Sequence, residues 1–203
     1  MKQESETKRK LLETAVELIW ESSYGSVSVD DICSKAGVNK GSFYYAFKSK
    51  SDLAVAATER FWETKRLRLD VIFSAQLSPI ERLQTYCKLA VDDQTEKARQ
   101  FGKVLGCPFC SLGSEQSTQD EHIRLKVEQM STRMMKYFES LVRDFATEGL
   151  IEKGDPAELA RELYFYFVGV MTQAKIENNL KALNQLYSGS LRILNLKQVA
   201  TAA

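Results

Sequence analysis

A turn at residues 37–39 separates two short amphipathic patterns, and it constrains the fold of this chain more than any other feature. Before the turn, Ser28 and Asp31 have the spacing of a capping box, which predicts the start of a helix. Gly37 can adopt the left-handed backbone in which helices commonly end. After the turn, the side-chain oxygen of Asn39 can accept from the unpaired N–H groups of a following helix. The pattern therefore predicts two helices joined by a tight turn.

The segment that follows the turn, residues 39–47 with the sequence NKGSFYYAF, divides into an inner and an outer face. Phe43 and Phe47 lie four positions apart, so on a helix they share one face and can point inward together. The other side chains then lie on the remaining surface. Residues 35–50 contain four lysines and no acid, while the whole chain has a formal net charge of only +1. An affinity for nucleic acid would therefore come from this local cluster.

Residues 28–53, SVDDICSKAGVNKGSFYYAFKSKSDL, resemble the tetracycline-repressor (TetR) family of bacterial transcription regulators. The resemblance covers a capped helix, a small residue, Ala-Gly-Val, and a second helix with an aromatic-Tyr-aromatic core followed by Phe-Lys-Ser-Lys. Cys33 stands where alanine is usual in the family. Ala46 stands where many members have histidine, so we expect one phosphate contact of the family to be missing.

The resemblance implies that the second helix of the motif enters the major groove of double-stranded, palindromic operator DNA, where each base pair presents its own donor and acceptor pattern. Base contacts are expected from the start of this helix and from Tyr44, and phosphate contacts from Tyr45 and the flanking lysines. The expected DNA-binding residues are Ser28, Asn39, Lys40, Gly41, Ser42, Tyr44, Tyr45, Lys48 and Lys50.

The rest of the chain contains helical periodicity and no strand alternation, so the sequence predicts an all-α protein. A first helix is expected over residues 6–24 and a fourth from Ser49 to about Phe73. Further helices are expected over about 78–97, 118–148, from 155 onward and over 180–196, with bent helical pieces at 101–118. Residues 1–50 are predicted to form an N-terminal three-helix helix-turn-helix DNA-binding domain. Residues 51–198 are predicted to form a C-terminal helical ligand-binding and dimerisation domain, and Ala200–Ala203 to be frayed.

The helix that begins after Asp155 is apolar on two faces, so it must be covered both by its own core and by a partner. One face carries Leu163 and Phe167, and the other carries Phe165 and Met171. Pairing with the helix at 118–148 across a two-fold axis would form a four-helix interface. This agrees with the resemblance, because TetR-family members are homodimers. A central helix of a monomer is the alternative.

The resemblance also implies release of DNA by a small-molecule inducer whose identity the sequence does not give. The broken stretch at 101–113 lies where family members often line the inducer pocket. The residues expected to form an apolar cavity with hydroxyl handles are Phe101, Leu105, Cys107, Phe109, Cys110, Met134, Phe138, Tyr164 and Phe167. The alternative for each of them, and the commoner case for any single one, is an ordinary core residue.

The sequence Cys107-Pro108-Phe109-Cys110 supports an alternative, a repressor that senses oxidants or electrophiles. A thiolate near a helix N-terminus is more reactive, and Cys110 could resolve an oxidised Cys107. Buried cysteines are also common as small apolar residues. A metal site is not supported, because one CxxC and the lone His122 do not supply four ligands.

Two other classes of protein remain as alternatives. A thiol enzyme would use Cys107 as nucleophile or the CxxC as a redox pair, but no βαβ pattern surrounds it and no base is evident. A helical adaptor would leave the lysine cluster unexplained. Nothing in the sequence requires a cofactor, and the longest uncharged run in the later half, residues 163–174, is shorter than the roughly 18 apolar residues of a membrane helix. A cytoplasmic protein without a membrane partner is expected.

Overall fold

The computed structural model describes residues 5–151 and 155–196, and in these ranges the chain forms helices and no β-strand. The all-α prediction is confirmed. The α-helices of the described residues are α1 (Glu6–Glu21), α2 (Val29–Ala36), α3 (Lys40–Ala46), α4 (Lys50–Ile72), α5 (Pro79–Phe101), α6 (Pro108–Gln116), α7 (Glu121–Thr147), α8 (Pro156–Ile176) and α9 (Gln185–Leu194). A short 3-10 helix, Leu180–Asn184, precedes α9.

The helix start that the spacing of Ser28 and Asp31 predicts is confirmed, and a second helix begins in the same way. The Ser28 and Asp31 side chains form both bonds of a capping box at the start of α2. Ser78 and Glu81 form a second capping box at the start of α5, where Pro79 occupies the first turn. Proline fits there because its missing N–H would have no partner inside the helix. These helix starts depend on residues three positions apart, which is why the sequence alone predicts them.

The middle of the chain differs from the expectation of several bent pieces. Helix α5 continues to Phe101 and ends at Gly102, whose φ of 70° belongs to the left-handed region that favours glycine. No α-helix follows until Pro108, and α6 is then a single helix of 9 residues. The predicted piece at 180–196 is likewise divided, into the 3-10 helix and α9. The expected fraying of Ala200–Ala203 concerns residues outside the described ranges.

The chain divides into two compact units, the first of which comprises the chain up to Arg66 together with Pro108–Ser131. Its core lies between α1, α2, α3 and the start of α4. Its buried side chains are Leu11, Leu12, Ala15, Val27, Ile32, Cys33, Phe43, Phe47, Leu53 and Ala57. A smaller cluster joins Ala54 of α4 to Leu112 of α6 and Ile123 of α7. Helix α6 and the first part of α7 therefore belong to the same unit as the helix-turn-helix.

The second unit comprises Leu67–Cys107 and the chain from Thr132 onward. Its core includes Leu83, Phe138, Leu141 and Phe145, which are fully buried. The buried Arg82 guanidinium donates to the carboxylate of Asp144 and, at 2.8 Å, to the carbonyl of Leu77, so its charge is compensated.

Buried side-chain amides hold the loop that follows α5. The side chain of Gln94 donates to the Gly106 carbonyl at 3.1 Å and accepts from the Gly106 N–H at 2.8 Å. Asn178 accepts from the Val104 N–H at 2.8 Å. These bonds replace the helical partners that the loop backbone lacks. The domain limits at residues 50 and 51 stay predictions, and the limit at 198 lies outside the described residues. Among the described helices, none has the length and apolar character to cross a membrane.

Candidate nucleic-acid interface

The turn between α2 and α3 has the geometry that its sequence predicts. Gly37 has a φ of 64°, in the left-handed region. The N–H of Val38 donates to the Cys33 carbonyl at 2.9 Å, and the N–H of Gly37 donates to the Ser34 carbonyl at 3.2 Å. These bonds satisfy the last carbonyls of α2 as a glycine-based helix end does. The turn thereby fixes the direction in which α3 leaves α2.

Helix α3 presents its aromatic residues on two sides. Asn39 caps it, with the side-chain oxygen accepting from the Ser42 N–H at 2.8 Å. Phe43 is fully buried and Phe47 is 6% exposed, so both hold the helix to its core as predicted. Tyr44 and Tyr45 are 56% and 96% exposed. Large aromatic rings so exposed on a short helix are available to a partner surface.

The start of α3 carries a cation that is paired with a neighbouring helix. The ammonium of Lys40 lies 2.8 Å from a carboxylate oxygen of Asp30 on α2. The hydrogen bond and charge of Asp30 raise the pKa of Lys40 above its ordinary value. Lys35 forms a similar pair with Glu17 of α1 at 3.1 Å. Asp30 was not among the residues that the sequence indicated, because its partner is ten positions away on another helix.

Lys48 and Lys50 differ in their surroundings, although the sequence groups them together. Lys48 is exposed. The Lys50 ammonium donates to the backbone carbonyls of Tyr24 at 2.8 Å and Val27 at 2.9 Å, and it lies 4.0 Å from the centre of the Tyr24 ring. Partial burial lowers the pKa of Lys50. The Lys50 ammonium therefore already forms hydrogen bonds with the backbone of the α1–α2 turn.

The same turn is also held by a carboxylate of α6. The Glu115 carboxylate accepts from the N–H of Tyr24 at 2.9 Å and from the N–H of Gly25 at 2.6 Å. Bonds from backbone N–H groups to a carboxylate are among the stronger hydrogen bonds in proteins. Because the turn leads directly into α2, Glu115 and Lys50 together position the helix-turn-helix. Sequence reasoning missed Glu115, since no local pattern relates residue 115 to residue 25.

Ser28, the remaining expected contact residue, is engaged within its own helix start. Its hydroxyl donates to Asp31 at 2.6 Å and accepts from the Asp31 N–H at 3.1 Å. The hydroxyl and the backbone N–H of Ser28 both donate to the Asp31 carboxylate and lower its pKa. A phosphate at this helix start would therefore meet backbone N–H groups of α2 rather than the serine hydroxyl.

The residues expected to line an inducer cavity divide between the two units. Phe101, Leu105, Cys107, Met134, Phe138, Tyr164 and Phe167 belong to the second unit, whereas Phe109 and Cys110 belong to the first. In the second unit, the Phe138 ring lies 5.7 Å from Tyr164 and 5.3 Å from Phe167 between ring centres. Tyr86 of α5 completes the group at 5.5 Å from Phe138 and 5.1 Å from Phe167. The structure thus brings three of the expected residues into one aromatic cluster.

In the first unit, Phe109 packs against Phe61 of α4 with ring centres 5.5 Å apart. It also lines an apolar cavity of about 30 Å³ among α1, α4 and α6, together with Trp20 and Leu112. This volume admits one or two water-sized groups, so the cavity is too small for an aromatic inducer as it stands. Cys107 directly precedes α6 and is half-buried, as is Cys110. Across the described residues, no three His, Cys, Asp or Glu side chains form a group that could hold a metal ion.

Comparison with known proteins identifies relatives over nearly the whole chain. Residues 11–57 match the bacterial regulatory proteins of the tetR family, and residues 79–189 match the tetracyclin repressor-like C-terminal domain. Transcriptional regulator AcuR of Cereibacter sphaeroides is 29% identical over 171 residues, which cover 83% of this chain and 76% of AcuR. The HTH-type transcriptional repressor NemR of Escherichia coli is 25% identical over 182 residues, 89% of each chain. The solved structure of regulatory protein TetR from Rhodobacter sphaeroides superposes with a TM-score of 0.82 at 27% identity, covering 93% of this chain and 99% of that one.

Proposed function

The chain belongs to the tetR family of bacterial regulatory proteins, and we propose that it is a homodimeric repressor released from its operator by a small molecule. As a member of this family it is a DNA-binding transcriptional regulator and not an enzyme. The relative NemR is named a repressor, which supports repression here. We place its action in the cytoplasm, as the sequence predicts.

The observation that carries the proposal is the outer face of α3. Lys40, Ser42 and Tyr44 extend from a helix that Phe43 and Phe47 fix to the core. A helix held in this way fits the major groove, where lysine can donate to guanine and serine to several bases. Gly41 allows the backbone to approach closely. Tyr44 can contact a thymine methyl group, and Asn39 fixes the start of the helix at the groove.

Phosphate contacts surround this face. The exposed Lys48 and Tyr45 can bond to phosphate oxygens beside the groove, and the start of α2 offers backbone N–H groups. Lys50 has a structural role instead of a phosphate contact, because its ammonium already donates to two backbone carbonyls. It supports the turn before α2 and thereby the position of the contacts that Ser28 and its neighbours make.

Dimerisation would place two such faces on one DNA duplex. On α8, Phe165 and Ile176 are 58% and 72% exposed, whereas Leu163 and Phe167 of the same helix are buried. Exposed apolar residues on a helix whose other face is buried indicate a second surface that packs against a partner. A two-fold axis through α8 and α7 would give a symmetric operator with half-sites one helical turn or multiples apart.

For the inducer site we favour the aromatic cluster of the second unit. Phe138, Tyr164 and Phe167 provide ring faces, and Tyr86 adds a hydroxyl group. An apolar ligand that separates these rings would bias the unit between two packings. A coupling of about 1–3 kcal/mol between ligand and DNA is typical of such regulators.

The test of the repressor function begins with selection of bound fragments from the genomic DNA of the source organism. Fragments with a two-fold symmetric half-site arrangement are expected. The affinity for the best fragment should fall steeply with salt, because each phosphate contact releases counterions. Sedimentation should give a dimer, and Phe165→Glu should give monomers that bind DNA weakly. A log–log salt slope near zero would contradict the proposal.

A second candidate is a repressor whose DNA binding responds to oxidants through Cys107. Cys107 is the residue before α6 in the chain, and a thiol near the start of a helix is more reactive. Cys110 lies in the first turn of the same helix and can serve as the resolving thiol. The test is the release of DNA by mild oxidant, with Cys107→Ser and Cys87→Ser compared. Loss of the response in Cys107→Ser alone supports thiol sensing, and an unchanged response excludes it.

A further inference from the structure

The pair formed by Asp30 and Lys40 lies on the surface that faces DNA in the proposed function. Asp30 is in the first turn of α2, and Lys40 is the first residue of α3. Their side chains are 66% and 60% exposed, with 2.8 Å between the ammonium nitrogen and a carboxylate oxygen. No acid occurs in residues 35–50, so Asp30 places a negative charge beside an otherwise basic segment.

The ion pair itself adds little to folding, because both side chains are exposed. A carboxylate is favoured in the first turn of α2 by the helix dipole, but beside the groove it repels DNA phosphates and weakens general attraction to DNA. At this place the carboxylate can offset that repulsion by accepting a hydrogen bond from a base.

The spacing of the pair matches a feature of one base pair. In a Watson–Crick G·C pair, guanine O6 accepts a hydrogen bond from cytosine N4, so these two atoms are about 2.9 Å apart. Both are accessible in the major groove, O6 as an acceptor and N4 as a donor. A lysine ammonium and a carboxylate oxygen 2.8 Å apart can therefore meet them side by side, with the ion pair intact.

We propose that Lys40 and Asp30 read one G·C base pair in each half-site as a single unit, Lys40 donating to guanine and Asp30 accepting from cytosine N4. This assignment rests on the proposed operator binding. It makes Asp30 a specificity-determining residue, and it implies that the ion pair persists in the complex instead of breaking when DNA binds.

Joint reading by Lys40 and Asp30 predicts an order of affinity for the four possible base pairs at the position that the two residues contact. With guanine on the lysine side, O6 and N7 both accept from Lys40, and cytosine N4 donates to Asp30. With thymine on that side, O4 accepts and adenine N6 donates, but a methyl group replaces N7. With cytosine or adenine on that side, a donor faces Lys40 and an acceptor faces Asp30. The expected order of affinity is G·C, then T·A, then A·T and C·G, with about tenfold or more between the first and last.

The experiment uses the full-length protein and a library of random duplexes. Selection with the wild-type protein gives the motif, and Lys40→Met identifies the position that Lys40 reads. Competition binding with the four base pairs at that position then measures the order of affinity. This measurement is made on the wild-type protein, so the order of affinity does not depend on how the Asp30 variants fold.

Asp30→Asn and Asp30→Ala test the carboxylate itself. Both should bind random DNA more tightly, because one negative charge is removed. Asp30→Ala, which also removes the acceptor, should lose most of the preference for G·C over C·G, and Asp30→Asn, whose amide oxygen can still accept from cytosine N4, should lose less of it. Glu17→Gln is the matched control, since it breaks the exposed Lys35–Glu17 pair, of 3.1 Å, with the same change of charge. It should raise affinity for random DNA and leave the order unchanged.

The outcomes separate this inference from the function on which it rests. If the wild-type protein selects no symmetric motif, operator binding itself is wrong. If it selects one but Asp30→Ala and Glu17→Gln keep the same order at every position, operator binding stands and the joint reading of the base pair by Lys40 and Asp30 is overturned. A wild-type order in which A·T or C·G exceeds G·C at the Lys40 position also overturns it. Loss of the preference in the Asp30 variants alone supports it.

Discussion

The carboxylate of Glu115 on α6 accepts a hydrogen bond from the backbone N–H of Gly25, with an N···O distance of 2.6 Å. A Cβ atom at residue 25 would lie 2.9 Å from the same oxygen, so only glycine lets the carboxylate approach this closely. The neighbouring N–H of Tyr24 donates to the other oxygen. The turn that leads into α2 is thus held by a residue 90 positions away. The helix-turn-helix in this protein is supported from α6.

Glu115→Ala should therefore weaken operator binding, although residue 115 lies outside the helix-turn-helix sequence. We expect a loss of about 1–3 kcal/mol in stability of the turn, as for hydrogen bonds to a charged group. Gly25→Ala should have a similar effect, because the new Cβ displaces the same carboxylate. The double variant should be less damaging than the sum of the two, which a double-mutant cycle in DNA affinity measures. Glu128→Ala, which removes an exposed carboxylate paired with Arg124 at 2.9 Å, is the control. Strict additivity would contradict the role of the Glu115 hydrogen bonds in holding the turn.

Replacements at Lys48 and Lys50 should have different consequences. Lys48 is exposed, so Lys48→Ala should lower the slope of log affinity against log salt by about 1 and leave thermal stability unchanged. Lys50→Met keeps the aliphatic stem but leaves the carbonyls of Tyr24 and Val27 without their donor. It should cost about 1–2 kcal/mol in the free energy of unfolding. Equal salt slopes and equal melting temperatures in the two variants would contradict the assignment of a DNA contact to Lys48 and a structural role to Lys50.

The capping box of α2 should make part of the folding stability dependent on pH in the acidic range. Hydrogen bonds from Ser28 lower the folded-state pKa of Asp31. A carboxyl with a lowered pKa contributes stability that is complete above its unfolded pKa of about 3.9 and is lost as the pH falls through the folded value. The difference in melting temperature between the wild type and Asp31→Asn should be largest above pH 5 and shrink towards pH 3. A difference that stays constant over this range would exclude the ionised carboxylate as its cause.

The four thiols should react with iodoacetamide in two groups. Burial raises the pKa of Cys87 to about 12, so at pH 8 only about one molecule in ten thousand carries the thiolate. Burial also raises the pKa of Cys33. Cys107 and Cys110 are half-buried and should be alkylated first. Mass spectrometry of peptides after timed labelling gives the order, and prior unfolding should remove it. Early labelling of Cys87 would show that the second unit opens readily.

Gly189→Ala should destabilise the second unit. The new Cβ on α9 would overlap the hydroxyl group and ring of Tyr166, whose hydroxyl donates to the Gln185 carbonyl at 2.7 Å. Overpacking of this kind costs about 1–3 kcal/mol. Ser188→Ala, the control, leaves alanine one position earlier on the exposed side of α9 and removes only a long hydrogen bond of 3.4 Å to the Gln185 carbonyl, so it should change stability little. Urea unfolding of both variants measures the difference, and equal midpoints would contradict the close packing.

The features that the sequence predicted correctly are those that depend on residues a few positions apart. The Ser28–Asp31 capping box, the left-handed Gly37 and the inward pair Phe43 and Phe47 all follow from spacing along one helix or turn. The all-α class follows for the same reason. The DNA-contact residues stay predictions, because their partners lie on another molecule.

Only the tertiary structure decided which charged groups near the helix-turn-helix already have hydrogen-bond or ion-pair partners within the protein. Lys50 resembles Lys48 in sequence, but packing of the α1–α2 turn against α4 occupies its ammonium. Asp30 and Glu115 have no local pattern that marks them, because Lys40 is on the next helix and Gly25 is 90 positions away. The sequence by itself determined the helices and the face of α3 that points outward, since periodicity sets both. The partners of its charges were decided by chain segments that only folding brings together.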